Sequence, residues 1–220
     1  GGEDLVPPQY GKVFISIKPR NGDFVPNLIK QNIKRDLKRY AVAGIVPEIL
    51  DLKYLFIETN SKVYYNTNLA PSASFVSTKV QRDLTAYAES SELNKYGARF
   101  KYSRFLKVID SSHESVTSNI TTVEMRRDLR LAISEVAEYA IDFGNEFHIQ
   151  SMNGFNIRSS AFRVLNINTD VYLYDIPDLT GEKGQISLFS LNEGSSTPVI
   201  QRRNIGVIDY KKGRITLDPI

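Results

Sequence analysis

The chain has 220 residues, with 28 Lys+Arg against 25 Asp+Glu, a formal net charge of +3, two His, and neither Cys nor Trp. The absence of Cys excludes a disulfide framework, Cys-ligated zinc, an iron–sulfur cluster and a cysteine nucleophile. A charge this close to balance is not the footprint of a dedicated nucleic-acid binder. Apolar residues are 41% of the chain, enough for a real core in one large domain or two small ones, and no apolar run approaches the roughly 18 residues that span a bilayer.

The start, Gly1-Gly2-Glu3-Asp4, is acidic, has no apolar targeting segment and no initiator Met, so the chain is expected to be a piece of a longer intracellular or intracellularly assembled protein. Residues 12–18 alternate around Val13, Ile15 and Ile17 and stop at Pro19, which predicts a strand with one buried face. Turn chemistry follows at Arg20-Asn21-Gly22-Asp23. Pro26-Asn27 then opens a helix whose stripe Ile29, Ile33, Leu37, Tyr40 has a 3.6 period. Gly44 and Pro47 close it.

Leu50, Leu52, Tyr54 and Phe56, then Val63 and Tyr65, alternate as strand material, with a turn or bulge expected at Thr59-Asn60-Ser61. Pro71 and Ser74 precede a second helix with the stripe Val76, Val80, Leu84, Tyr87. A third helix from about Ser103 places Tyr102, Phe105, Leu106 and Ile109 on one face. Residues 119–127 are rich in β-branched types and read as a strand. This order suggests a sheet with helices packed on one face, with a split β-α-β connection as one way to build it.

After about Leu129 short strands and turns take over. Candidates are residues 139–143, 156–164, 171–174, 185–191, 205–210 and 214–217, with loop followed by strand preferred to helix for 129–140. Gly213 in Lys211-Lys212-Gly213 is placed for the left-handed position of a hairpin loop, which penalises a Cβ. The fold class is therefore α+β, with an α+β domain over 1–128 and a β-rich subdomain over 129–220.

No catalytic constellation stands out. Asp110-Ser111-Ser112-His113 holds triad residue types, but a triad is assembled from separate elements, and adjacent residues at a helix end read as a cap. His148 has no partner at metal-ligand spacing. Asp170, Asp175, Asp178 and Glu182 are divided by a strand and read as solvated turns rather than a calcium loop. Phosphate-loop glycine patterns are missing. Lys30, Lys34 and Lys38, with Arg35 and Arg39, make the first helix basic; the plain reading is a solvated outer face, and an acidic protein partner is the favoured functional one. Arg126, Arg127 and Arg130 form a second basic group. With 12 Tyr and 11 Phe, amphipathic aromatic surface is plentiful. Tyr64-Tyr65 is singled out because strand neighbours face opposite ways. Elimination favours a structural or interaction module without cofactor or metal over an enzyme.

The opening string GGED-x-x-PP-x-YGKVFISIKP, residues 1–19, resembles baseplate wedge proteins of contractile-tailed, T-even-type bacteriophages, within the broader baseplate J-like family. Asp142-Phe143-Gly144-Asn145 and the closing G-x-[IV]-D-Y-x-x-G-x-I-x-L hairpin, residues 206–217, look like those proteins too. The resemblance implies a C-terminal part of a virion structural protein, located in the tail baseplate and assembled in the host cytoplasm. It implies the inner baseplate ring as its setting and a part in triggering sheath contraction. The implied partners are a second copy and companion wedge subunits or neighbouring baseplate proteins, with no nucleic acid and no membrane. No catalytic or cofactor residue is implied. Candidate interface residues are Lys30, Lys34, Lys38, Tyr64 and Tyr65. A carbohydrate- or receptor-binding tail module and an enzyme fragment completed by a missing segment stay as alternatives.

Overall fold

The computed structural model describes residues 10–19, 22, 24–41, 44–129, 138–192, 194 and 197–219. The fold is α+β with a β-rich C-terminal part. The chain divides into two compact units, Gly1–Tyr54 and Leu55–Ile220.

In the first unit, β1 (Lys12–Ser16) and β2 (Val46–Leu50) pair in parallel from Lys12↔Val46 to Ser16↔Leu50. A parallel pair needs a crossover, and α1 (Asn27–Lys38) supplies it. Pro26 precedes the helix without a capping hydrogen bond from a side chain. The helix ends before Tyr40, which is exposed rather than part of the expected stripe. The cause is local: Gly44 and Pro47 stop the periodicity, and the last helical turn already tightens at Arg39 and Tyr40.

In the second unit, β3 (Phe56–Tyr65) and β4 (Val116–Arg126) form an antiparallel two-stranded ribbon. The turn expected at Thr59-Asn60-Ser61 does not form. Those residues sit mid-strand, opposite Val123, Thr122 and Thr121, and the Ser61 and Thr121 hydroxyls lie 2.8 Å apart. With a long β-branched partner strand available, ladder pairing outweighs local turn preference. α2 (Ala73–Glu89) is started by Ser72, whose Oγ accepts the Phe75 N–H at 3.2 Å, an N-cap. α3 (Tyr102–Asp110) follows. Val76, Val80, Tyr87, Phe105 and Ile109 form a buried cluster against Val63, Tyr65 and Val116 on one face of the ribbon.

The first-half strands thus form two separate two-stranded sheets, and β1–α1–β2 is a direct rather than a split crossover.

The β-rich part is a five-stranded sheet in the order β5 (Tyr139–Asp142), β9 (Arg214–Leu217), β8 (Pro198–Asp209), β7 (Lys183–Leu191), β6 (Tyr172–Pro177), antiparallel throughout. Its core comprises Val171, Ile186, Leu188, Ile205, Ile208, Tyr210, Ile215 and Leu217. The strand expected over 156–164 is replaced by two isolated bridges, Arg158↔Tyr174 and Phe162↔Val171. There side chains take the place of ladder bonds: Ser159 Oγ accepts the Leu173 N–H, and Asn156 Oδ1 accepts two backbone N–H groups. Gly213 takes φ 63 in the β8–β9 hairpin, as expected, and a Cβ there would lie 1.7 Å from the Asn145 carbonyl oxygen. Most of 129–140, where loop was preferred to helix, lies outside the described residues; β5 begins at its end.

Candidate interaction surfaces

The basic face of α1 is largely occupied. Lys30 Nζ donates to the Asp51 carboxylate at 2.7 Å and Lys34 Nζ to Glu48 at 2.8 Å. The spacing of four residues puts both ammoniums on one side of the helix. The hydrogen bond from Lys34 holds the Glu48 carboxyl below its ordinary value, against desolvation, with Lys12 and Lys38 adding to it. Lys38, exposed one turn further on, makes no ion pair among the described residues. α1 buries no residue, and Leu28 and Ile29 are exposed.

Tyr64 and Tyr65 face opposite ways. Tyr65 packs against the α2–α3 cluster, while Tyr64 is exposed opposite Ser118, with Lys62 Nζ 5.3 Å from its ring centre. Of the five residues singled out, Lys38 and Tyr64 therefore present side chains not already committed inside the fold. In the second basic group, Arg126 pairs with Glu58 and Asp128 and lies 4.5 Å over the Phe56 ring; Arg130 falls outside the described residues.

The residue types that suggested chemistry have structural partners. The His113 Nδ1 meets the Ser115 hydroxyl at 2.8 Å, yet Ser115 is fully buried and Asp110 accepts from Asn119 Nδ2 instead. These groups close the turn from α3 into β4. Asp170 binds Arg163, Asp178 its own turn at Thr180, and Glu182 Lys211. The Thr180 hydroxyl holds the Asp178 carboxyl below its usual range, opposed by desolvation and helped by backbone N–H groups. His148 lines an open hollow of about 430 Å³ with Glu146, Gly181 and Tyr210. No metal-holding group of three or more His, Asp or Glu occurs among the described residues.

Asp175 was not legible from the sequence as anything but a turn acid. It is the one buried carboxylate among the described residues. Tyr210 Oη and Asn156 Nδ2 donate to its Oδ2 and the Ile157 N–H to its Oδ1. A buried carboxylate that accepts three hydrogen bonds fastens the β8–β9 turn to β6 and to the 150–157 loop. Burial, then the hydrogen bond to Asp175, pushes the Tyr210 hydroxyl above the phenol range.

Residues 1–50 match the family model described as "Baseplate structural protein gp6, C-terminal domain I", and residues 53–128 match "Baseplate structural protein gp6, C-terminal domain III". The gap between the two matches falls beside the Tyr54/Leu55 division of the compact units. The chain is also similar to "Baseplate wedge protein gp6" of Enterobacteria phage T4, at 30% identity over 172 residues, covering 76% of this chain and 26% of the relative. It therefore spans about a quarter of that relative's length. The aligned share of the chain is longer than residues 1–128, so the likeness continues into the β-rich part.

Proposed function

We propose that the chain is a structural, non-enzymatic part of a phage tail baseplate wedge, working in the virion after assembly in the host cytoplasm. The observation that carries this reading is the pair of gp6 C-terminal domain matches in one chain, supported by the wedge relative. The absorbed chemistry fits it: the buried carboxylate accepts three internal hydrogen bonds, and the triad-like and acidic residues are engaged in turns and ion pairs.

In this reading the chain helps build the inner baseplate ring and couples baseplate change to sheath contraction. Its partners are a second copy and companion wedge or neighbouring baseplate proteins, with no nucleic acid and no membrane. The J-like kinship and the subdomain boundary at 128/129 belong to the same proposal. Lys38 and Tyr64 are its leading contact residues, with Lys30, Lys34 and Tyr65 behind them. Sedimentation velocity tests the surface: Lys38→Glu with Tyr64→Ser should weaken association, and an unchanged dissociation constant removes these two residues from the interface. Depleting the protein in an infected host tests the role. Tails lacking baseplates are the expected result, and normal baseplates would end the reading.

A second reading, a receptor- or carbohydrate-binding tail module, is favoured by one observation. Phe155 is half exposed and stacks on Tyr174 with ring centres 4.7 Å apart. Glycan-array binding would support it, and binding only to sibling structural proteins would oppose it.

A further inference from the structure

β8 is far longer than the strand beside it. β9 covers only residues 206–209, and the last bond along that side runs from the Asp218 N–H to the Ile205 carbonyl at 2.9 Å. Residues 198–204 continue past it, paired on the other side to β7 through Leu191↔Pro198, Ser190↔Val199, Phe189↔Ile200 and Leu188↔Arg202. No strand covers their outer side among the described residues. The register shifts beside Leu188 and the left-handed Asn204, φ 56, mark β8 as bulged where its pairing with β9 ends. Half of the backbone N–H and C=O groups of such an edge point outward, ready to pair.

The side chains along the edge are those of a recognition strand. Tyr172, Phe189 and Ile200 are cross-strand partners and form one row over β6, β7 and β8. This row lies on the face opposite Leu173 and Leu188, which belong to the core. It ends at half-exposed Ile200, beside half-exposed Val199. Arg202 and Arg203 are exposed and have no carboxylate among the described residues, whereas Arg126 holds two and Arg163 and Arg214 hold one each. A guanidinium presents a planar fork of donors suited to carboxylates.

We propose that residues 198–204 of β8 are a strand-addition edge for an extended segment of another protein in which two neighbouring apolar residues lie one residue away from two neighbouring carboxylates. Backbone pairing supplies the register; Val199 and Ile200, on opposite faces, meet the two apolar residues, one on each face, and Arg202 and Arg203 meet the two acids in the same way. The proposal stands on β8 alone and does not depend on the baseplate reading.

The test is fluorescence anisotropy of labelled eight-residue peptides with the whole chain. One peptide carries two neighbouring valines one residue away from two neighbouring glutamates, one replaces the glutamates by lysines, and one is the glutamate peptide N-methylated at alternate amides. Saturable binding of the first is expected, at least tenfold weaker for the other two and for the Arg202→Glu/Arg203→Glu chain. Both arginines are exposed, and a thermal melt checks that the variant is folded. Absence of saturable binding by the glutamate peptide overturns the proposal. So does equal affinity for the N-methylated peptide, which would mean charge attraction without strand pairing, or equal affinity of the double variant. Self-association that the glutamate peptide does not displace would assign the edge to a second copy and overturn the acidic segment as occupant.

Discussion

The Gly1–Tyr54 unit and the five-stranded sheet are held together in different ways. In the sheet, Val171, Ile186, Leu188 and Ile208 are fully buried, and the buried Asp175 carboxylate accepts three hydrogen bonds. In the first unit α1 buries no residue, its apolar Leu28 and Ile29 are exposed, and Lys30 and Lys34 tie it to acids on and just after β2. Burial contributes kilocalories per side chain while exposed ion pairs contribute little. One region therefore carries its own stability, and the other leaves apolar surface that association with a partner would stabilise.

The strongest way to break this contrast is in the core. Leu188→Ala should cost about 2–5 kcal/mol in urea denaturation, since the cavity forms among fully buried neighbours. Tyr210→Phe comes next, at about 1–3 kcal/mol, because Asp175 loses a buried donor. The same variant sharpens the pH behaviour. The folded-state hydroxyl titrates above its unfolded value, so its contribution is complete below about pH 10 and is lost as pH rises further. Denaturation midpoints between pH 8 and 11 should fall in the parent and fall less in the variant. Ile29→Ala in α1 should cost less than about 1 kcal/mol, as expected for an exposed position; a cost equal to that of Leu188→Ala would overturn the comparison. Glu48→Gln should have the smallest effect of all. Because the Glu48 carboxyl is held low in the fold, its contribution is present above the ordinary carboxylate range and lost as pH falls. The parent should therefore lose its slight advantage over the variant under acid, read as converging melting temperatures.

What the sequence disclosed follows from the range of the interactions. The stripes Val76/Val80/Tyr87 and Phe105/Ile109 are local periodicities, and both fill the cluster they suggested. Gly213 needed only a turn to declare itself. Thr59-Asn60-Ser61 misled because its fate was set by β4, some sixty residues away. The same applies to Asp175, whose donors come from Asn156, Ile157 and Tyr210, and to Lys30 and Lys34, whose acids lie across a crossover. Tyr64 and Tyr65 fall between these cases: alternation says that they point apart, but only the position of α2 and α3 says which one is inside.

The β3–β4 ribbon has a mechanical consequence. Its pairing runs without interruption from Phe56↔Arg126 to Tyr64↔Ser118. One end is gripped by α2 and α3 through Val63, Tyr65 and Val116. Near the other end, Glu124 meets Arg158 and Met125 lies by Asn145, both on the β-rich side. Both grips include β4 itself, Val116 at one end and Glu124 and Met125 at the other, so tension between them runs along one continuous strand that the ladder to β3 holds extended. An extended strand has little length left to yield, so β4 passes a displacement along its axis instead of absorbing it.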